Sequence, residues 1–302
     1  MRTASSFPRH DRPLPGSVRG LRAIRVGTHI AGFFLFPPKD RSLSPETSDS
    51  LSRWCQDLLS KFKVDVTVEG PPPGPGPFLI VANHISWMDI LLIRQLLPGH
   101  FIAKEEIALW PVIGPGARRA GTFFISRNKL SSLYATLRQV CRSLERGQSV
   151  VLFPEGTTTT GENLLPFRSG LFESALRTGV PVLPVALRYE SLTGPSNYAT
   201  SYTGGESFGR SLWRTLGESR IRARLILRPP IFPEKKSRKV LATEARHSIL
   251  STLEEITSPQ EKLQVTPGDI VRIRASPLSG LPHSVCTQSP CDGQDSHREP
   301  KT

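Results

Sequence analysis

Short apolar segments alternate with longer amphipathic segments through most of this 302-residue chain, and this alternation constrains the fold more than any other feature. Short runs rich in β-branched residues indicate strands, whereas apolar residues spaced three or four positions apart indicate helices. Such alternation is typical of an α/β domain in which helices connect parallel strands. The sequence therefore predicts an α/β fold with a mixed, largely parallel sheet and flanking helices.

We place this domain at residues 64–258 and predict seven strands and four helices within it. The predicted strands are residues 64–68, 78–82, 100–103, 121–126, 149–153, 180–189 and 221–227. The predicted helices are residues 88–96, 130–146, 168–178 and 236–255. Residues 1–18 and 259–302 show no sustained periodicity, so we expect both termini to be disordered.

Residues 19–63 are predicted to form a separate N-terminal element of two amphipathic helices. The first, residues 19–36, has a basic first half and ends in the apolar sequence FFLF, which favours a helix lying in the headgroup region of a membrane. The second, residues 51–63, carries apolar residues at helical spacing. The alternative is that both helices pack on the main domain as ordinary core helices. No run of 18 apolar residues occurs, so a membrane-docking element is expected rather than a membrane span.

The net charge of +13 favours an anionic partner, which leaves nucleic acid, a phospholipid surface or an acidic carrier or nucleotide-like substrate. Aromatic residues make up only 7% of the chain and no run of five Lys or Arg occurs, which argues against nucleic acid. The four scattered cysteines indicate a reducing compartment rather than a disulfide framework. His283, Cys286 and Cys291 have irregular spacing for a zinc site, and we expect neither a metal nor a cofactor.

Residues 83–89, NHISWMD, place His84 and Asp89 where a predicted strand ends and a helix begins. A carboxylate that accepts one ring N–H of a histidine fixes the tautomer, leaves the other nitrogen free and stabilises the imidazolium. These are two members of a serine-type triad without a local nucleophile, so the attacking hydroxyl is expected to come from the substrate. The alternative is that Asp89 only complements the helix dipole and His84 is a surface histidine.

The sequence FPEGT at residues 153–157 follows another predicted strand. The carboxyl ends of neighbouring strands gather ligands in open α/β sheets. Gly156 would let the backbone approach a substrate closely, Thr157 would supply a hydroxyl, and Glu155 would hold a substrate hydroxyl or a cation. The alternative is an ordinary polar turn.

Three cations complete the predicted substrate site. Lys104 and Arg127 each directly follow a predicted strand and would point toward the edge of the sheet that carries His84, and Arg168 opens a helix. The planar guanidinium of arginine suits a phosphate monoester. The alternative for each cation alone is a solvated surface residue.

These sequence elements, in this order, resemble the motifs of the glycerolipid acyltransferase family typified by 1-acylglycerol-3-phosphate acyltransferases. The first motif, Asn-His followed by four residues and Asp, is matched at residues 83–89; the second ends in an arginine matched by Arg127. The third, FPEGT, is matched letter for letter, and the fourth, an apolar stretch with a central proline, is matched by VPVLPVAL at residues 180–187. Ser126 departs from the acidic residue that members often have before the arginine.

The resemblance implies direct acyl transfer without an acyl-enzyme. His84 would deprotonate the hydroxyl of a lysophospholipid, Asp89 would orient His84, and the alkoxide would attack the thioester of acyl-CoA or an acyl carrier protein. Arg127, together with residues 155–157, would hold the glycerol phosphate, and backbone N–H groups at the start of the helix near Trp87 are candidate oxyanion donors. The implied product from 1-acylglycerol-3-phosphate is phosphatidic acid, formed at the cytoplasmic face of the inner or plasma membrane.

Two other functions remain open from the sequence. The acceptor could be another lyso-lipid, such as a lyso-ornithine lipid, whose head group lacks phosphate. Alternatively, the chain could be a non-catalytic basic protein that binds the membrane surface, although such a protein has no need of a general base.

Overall fold

The structure is a computed structural model, and it describes residues 13–35, 45–126, 130–191, 200–203, 205–256 and 270–272. The helices are α1 (Gly16–Leu35), α2 (Pro45–Lys61), α3 (Met88–Arg94), α4 (Ile113–Arg119), α5 (Leu130–Glu145), α6 (Glu173–Thr178), α7 (Phe208–Leu216) and α8 (Arg238–Glu255). The strands are β1 (Val64–Glu69), β2 (Leu79–Ala82), β3 (His100–Lys104), β4 (Phe123–Ile125), β5 (Val150–Leu152), β6 (Val182–Ser191), β7 (Ile221–Leu227) and β8 (Ile270–Arg272).

The strands form one eight-stranded sheet with the order β4-β3-β5-β2-β6-β7-β1-β8. The first five strands in this order are mutually parallel. Strand β7 runs antiparallel to β6 and parallel to β1, and β8 closes the sheet antiparallel to β1. The predicted fold class, a mixed and largely parallel sheet with flanking helices, is therefore confirmed.

Strand β2 lies inside the parallel region and is buried along its whole length. Leu79 and Val81 pack in the cluster that includes residues of α5 and α8, whereas Ile80 and Ala82 pack in the cluster that includes Ile93 of α3. Side chains alternate between the two faces of a strand, so helices cover both faces of β2. This packing fixes the position at which β2 delivers the next residues, Asn83 and His84.

The two N-terminal helices differ in how they pack. Helix α2 buries Leu58 and Leu59, which share a core cluster with Phe62, Met88 and other residues of the main domain. Helix α1 packs on α2 through Phe33, whose ring lies 4.8 Å from that of Trp54. No helix in the described part of the chain is long and apolar enough to cross a bilayer. Helix α2 is thus a packing helix, as the alternative interpretation expected.

Several predicted boundaries were wrong. Helix α1 begins at Gly16, inside the segment 1–18 that was expected to be disordered, and residues 1–12 lie outside the described residues. Helix α2 begins at Pro45, six residues before the predicted start, because proline is well suited to the first turn of a helix. The predicted helix at residues 168–178 is a short 3-10 turn, Gly170–Phe172, followed by α6. Strand β8 lies within the predicted disordered tail, of which the remainder lies outside the described residues.

Helices α4 and α7 were not predicted. Helix α4 has the sequence IGPGARR, in which Gly and Pro hide the helical pattern. Its Gly114 allows a close approach, because a Cβ there would lie 2.2 Å from the carbonyl oxygen of Ala108. Helix α7 is short, but Ser207 caps it by accepting a hydrogen bond from Arg210 N at 3.3 Å. A serine before an amphipathic run is the signal that could have located α7.

Candidate active site

Three adjacent parallel strands, β3, β5 and β2, bring the predicted site residues to one edge of the sheet. Lys104 ends β3, Glu155 follows β5 and His84 follows β2. Parallel strands place their carboxyl ends at the same edge, which is where α/β proteins collect ligands. The expected convergence of His84, Glu155 and Lys104 on one edge is present.

His84 and Asp89 form the hydrogen bond that the sequence predicted, with 2.7 Å between His84 Nδ1 and Asp89 Oδ2. Asp89 Oδ2 also accepts from the backbone N–H groups of Ile85 at 2.7 Å and Ser86 at 3.0 Å. An ionised carboxylate only accepts hydrogen bonds, so Nδ1 carries the ring proton and Nε2 has a free lone pair. The Asp89 side chain has no exposed surface, whereas the His84 side chain is 19% exposed. The dyad therefore presents one basic nitrogen toward the outside.

The ring of Phe153 fixes the plane of the imidazole. Its centroid lies 4.0 Å from that of His84, and the two rings are nearly parallel at 14°. Phe153 directly follows β5, next to β2, so strand pairing brings the two rings together. Phe153 is the first residue of FPEGT, the motif in which a role was expected only for residues 155–157.

Tyr189 is a second contact that the sequence analysis missed. Its hydroxyl donates to Asp89 Oδ1 at 2.6 Å, and its side chain is fully enclosed. Burial and the negative charge of Asp89 raise the pKa of Tyr189 well above its ordinary value, so the phenol stays neutral and remains a donor. Tyr189 lies two residues beyond the VPVLPVAL motif. A buried tyrosine needs a partner for its hydroxyl, and this was the available signal.

Asn83 extends the pairing between β2 and β6 with its side chain. Its Nδ2 donates to Leu187 O at 3.0 Å, and Leu187 N donates to Asn83 Oδ1 at 2.7 Å. The regular pairing of the two strands ends one step earlier, at Ala82 and Val185. Asn83 therefore holds the start of the His84 loop against β6.

Glu155 connects the His84 loop to a second loop. Its Oε1 accepts from His84 N at 2.8 Å, and its Oε2 accepts from Leu165 N at 3.0 Å. Burial raises the pKa of Glu155, while the hydrogen bonds from His84 and Leu165 act to lower it. Both carboxylate oxygens thus serve the protein backbone, and a contact of Glu155 with a substrate hydroxyl stays a prediction.

The neighbouring residues of FPEGT adopt a tight turn. Gly156 has a φ of +76°, a conformation that favours glycine, and its backbone N–H donates to Phe153 O at 3.1 Å. Gly156 is buried, whereas Thr157 is exposed at the same edge. A substrate can therefore reach the Thr157 side chain.

The structure locates two of the three predicted cations. Lys104 is half-buried at the end of β3 and pairs in register with Ile125 of β4. Arg168 is exposed, and its backbone N–H donates to Pro154 O at 3.0 Å, so it lies beside the FPEGT turn. Arg127 lies outside the described residues.

Two backbone N–H groups beside Trp87, where oxyanion donors were expected, are engaged within the protein. Ser86 N donates to Asp89 Oδ2, and Met88 N donates to Ser86 Oγ at 3.2 Å. These two groups already have acceptors and are poorly suited to an oxyanion. In the described part of the chain, no three His, Cys, Asp or Glu side chains form a group that could hold a metal ion.

The comparisons with known proteins agree with the motifs. The family model described as Acyltransferase matches residues 63–188. The 1-acyl-sn-glycerol-3-phosphate acyltransferase of Neisseria meningitidis serogroup B is 40% identical over 169 residues, which are 56% of this chain and 66% of that protein. The chain therefore spans just under two thirds of the length of that relative.

A second relative is covered more completely. The lyso-ornithine lipid O-acyltransferase of Pseudomonas aeruginosa is 36% identical over 208 residues, which are 69% of this chain and 80% of that protein. Among solved structures, the 1-acyl-sn-glycerophosphate (LPA) acyltransferase of Thermotoga maritima aligns with a TM-score of 0.59 at 23% identity, covering 82% of this chain and 99% of that one. This structural likeness concerns the fold.

Proposed function

Because this chain belongs to the glycerolipid acyltransferase family, we propose that it transfers a fatty acyl group from acyl-CoA or an acyl carrier protein to the free hydroxyl of a lysophospholipid. The acceptor that we favour is 1-acylglycerol-3-phosphate, which would give phosphatidic acid. The observation that carries the proposal is the His84–Asp89 pair, because it holds Nε2 as a free base at the edge of the sheet where the other motif residues meet.

His84 would act as the general base. Its Nε2 removes the proton from the acceptor hydroxyl while the oxygen attacks the thioester carbonyl carbon. The tetrahedral intermediate then collapses, the carbon–sulfur bond breaks, and the departing thiolate takes the proton from the imidazolium. The buried carboxylate of Asp89 stabilises the imidazolium, and Phe153 keeps the ring in plane.

The acceptor head group would be held by the groups around the FPEGT turn. Lys104, Arg127 and Arg168 supply positive charge for a phosphate monoester, and Thr157 supplies an exposed hydroxyl beside Gly156. Arg168 is exposed next to this turn, which suits a head group arriving from the membrane surface.

A second candidate acceptor is a lyso-ornithine lipid. It is supported by the lyso-ornithine lipid O-acyltransferase, which the chain covers more fully than the other relative described above. The chemistry at His84 is the same for both acceptors, whereas the head groups differ in charge. Purified protein should be tested with each lyso-lipid against acyl-CoA and acyl carrier protein, and the products identified by mass spectrometry. Phosphatidic acid as the main product supports our proposal, and ornithine lipid as the main product replaces it.

Replacement of His84 tests the reaction itself. We expect His84→Ala to lower kcat/KM by at least about 100-fold, because general bases contribute factors of this order or more. His247→Ala on α8 is the matched control and should retain full activity. Liposome binding should be unchanged in both variants. Equal turnover by His84→Ala and the wild type would show that His84 is not the base, and no turnover by either protein would favour a non-catalytic protein that binds the membrane surface.

We also propose that helix α1 docks this enzyme on the membrane, at its cytoplasmic face. Leu21, Ile24 and Leu35 are 52%, 64% and 72% exposed, and their spacing places them on one side of α1. Apolar residues on one exposed helix face suit insertion at the headgroup boundary. An acceptor with an acyl chain resides in the membrane, so this placement would bring the site to its substrate.

A basic groove beside α1 fits an anionic lipid surface. The groove has a volume of about 200 Å³. It is lined by Arg22, Arg25, Ser60, Lys61 and Lys63. Each Lys or Arg close to an anionic membrane contributes about 1 kcal/mol to binding. Charge therefore complements the apolar face of α1.

Vesicles of phosphatidylglycerol and of phosphatidylcholine test this docking. The triple variant Arg25→Gln/Lys61→Gln/Lys63→Gln should bind phosphatidylglycerol vesicles at least about tenfold more weakly than the wild type and should lose most of its preference over phosphatidylcholine. The matched control, Lys235→Gln/Arg238→Gln/Lys239→Gln, makes the same change in net charge near the start of α8 and should bind like the wild type. Equal losses in both variants would show that only net charge matters and would contradict a docking role for the groove.

A further inference from the structure

We propose that Tyr189 is a positioning residue that sets the proton affinity of His84 through Asp89. This inference rests on the proposed function, in which His84 is the base. Tyr189 donates to Asp89 Oδ1, whereas His84 binds the other oxygen, Oδ2. The phenol and the imidazole each donate a hydrogen bond to one oxygen of the same carboxylate.

Strand β6 is long enough to place Tyr189 there. The β2–β6 pairing ends at Ala82 and Val185, but β6 continues to Ser191. In this extension, the backbone of Leu187 binds the side chain of Asn83. Two residues later, the hydroxyl of Tyr189 reaches Asp89. On its other side it pairs with β7, where Tyr189 is in register with Ala223. The phenol is thus held by a paired strand rather than by a loop.

Asp89 receives four donors in total. Oδ2 accepts from His84 Nδ1 and from the backbone of Ile85 and Ser86, and Oδ1 accepts from Tyr189. Each donor disperses part of the negative charge of the carboxylate and weakens its attraction for the imidazolium. In the low-dielectric interior this effect is stronger than in water. The phenol therefore lowers the proton affinity of His84 relative to a dyad without it.

A lower proton affinity has a consequence for the reaction. It keeps more of His84 in the neutral form that can accept a proton at a given pH, and it makes the imidazolium a better acid toward the departing thiolate. A role confined to packing is the competing explanation, because Tyr189 also lies in the core cluster with Met88 and Leu216.

Tyr189→Phe separates the two explanations, because phenylalanine keeps the ring and removes only the hydroxyl. We expect the pKa of the acidic limb of the kcat/KM profile to rise by about 0.5 pH unit, so that kcat/KM well below this limb falls about threefold further than at the pH optimum. The loss of packing alone would lower kcat/KM equally at all pH values and leave the limb in place, and that result would overturn the inference. The matched control is Tyr202→Phe. The backbone N–H of Tyr202 donates to Ile85 O at 2.9 Å, near the same loop. The pKa of the acidic limb of the kcat/KM profile should not change in this variant.

A measurement that does not depend on turnover distinguishes this inference from the proposed function. The imidazole of His84 is titrated by NMR in the wild type, Tyr189→Phe and Tyr202→Phe, with its signal assigned as the one missing from His84→Ala. An upward movement of the His84 pKa only in Tyr189→Phe supports the inference even if His84→Ala retains activity. An unmoved His84 pKa in a folded Tyr189→Phe protein contradicts it whatever the activity.

Discussion

The two halves of the sheet differ in strand direction and carry different polar contacts. In the parallel half, the ends of β2, β3 and β5 lie side by side and carry His84, Lys104 and Glu155. In the other half, β7 runs antiparallel to β6 and pairs with β1, and a prominent polar contact is a two-pronged ion pair in which Arg224 Nε and Nη2 donate to the two oxygens of Glu69 at 2.7 Å each. Neighbouring parallel strands place the polar residues that follow them at the same edge of the sheet. A strand that runs in the opposite direction places the residues that follow it at the other edge.

The comparison predicts that equivalent substitutions have unequal effects in the two halves. Asp89→Asn should produce the largest difference, lowering kcat/KM by about 10³-fold, because the amide cannot stabilise the imidazolium and can hold the ring in the wrong tautomer. The initial rate of thiol release reports the loss.

Asp65→Asn on β1 is the matched control for Asp89→Asn. Asp65 forms an ion pair with Arg220 at 3.0 Å in which both side chains are more than half exposed. Its loss should leave kcat/KM within about twofold, since exposed ion pairs contribute little. Circular dichroism verifies that both variants are folded. Comparable losses of activity in the two variants would remove the distinction between the halves.

Glu155→Gln should have an intermediate effect. One backbone N–H, of His84 or Leu165, would face an amide NH₂ group instead of a carboxylate oxygen, and a buried donor without an acceptor costs about 1–3 kcal/mol. Because Glu155 then links the His84 loop to the Leu165 loop less firmly, we expect a decrease in kcat/KM of about tenfold together with a lower Tm. A decrease in Tm with unchanged kcat/KM would show that the hydrogen bonds of Glu155 contribute to stability alone.

The pH dependence of stability sharpens the same prediction. Burial raises the pKa of Glu155 in the folded protein above its ordinary value of 4.5, so the folded state holds the proton more tightly than the unfolded chain. The stabilisation from this carboxyl group is therefore complete below pH 4.5 and declines as the pH rises through the raised pKa. The Tm difference between the wild type and Glu155→Gln should decrease from acidic to neutral pH in thermal denaturation. A Tm difference that grows from acidic to neutral pH would contradict the raised pKa of Glu155 in the folded protein.

Glu69→Gln should have the smallest effect. It removes the charge from the fork with Arg224, whose side chains are each about one fifth exposed, so we expect a loss of about 1 kcal/mol or less and no change in kcat/KM. The loss should shrink in high salt, because screening weakens partly exposed pairs. Urea denaturation at two salt concentrations measures it. A large loss of activity would show that this distant half also shapes the site.

The sequence predicted the strands of the main domain better than its polar connections. Strand β7 was predicted at its observed bounds and β1 within one residue, because apolar residues that alternate with polar ones, as in VDVTVE and at the start of IRARLIL, are a strong local signal. Helix α4 and strand β8 were missed because their sequences are short and, in α4, interrupted by Gly and Pro. The burial of α2 required knowledge of its partner Met88, which no local pattern supplies.

The same distinction applies to the site. The His84–Asp89 contact was predictable because five positions in the sequence separate its members at the start of a helix. The contacts of Asn83 with Leu187 and of Asp89 with Tyr189 join residues 104 and 100 positions apart, so only the strand order reveals them. Phe153 is a similar case, because an aromatic residue before a turn has no sequence signal for stacking on an imidazole.

The carbonyl groups of the His84 loop are also tied to the surrounding chain. Thr159 N donates to His84 O at 2.8 Å and Tyr202 N donates to Ile85 O at 2.9 Å. Together with the bonds that Asn83 and Glu155 make, these contacts hold the loop from several directions without any ligand. The imidazole is therefore held in position by the protein itself, and in the proposed reaction neither reactant has to arrive first to assemble it. A kinetic mechanism of random order is compatible with this rigid base, since either reactant finds the same catalytic geometry.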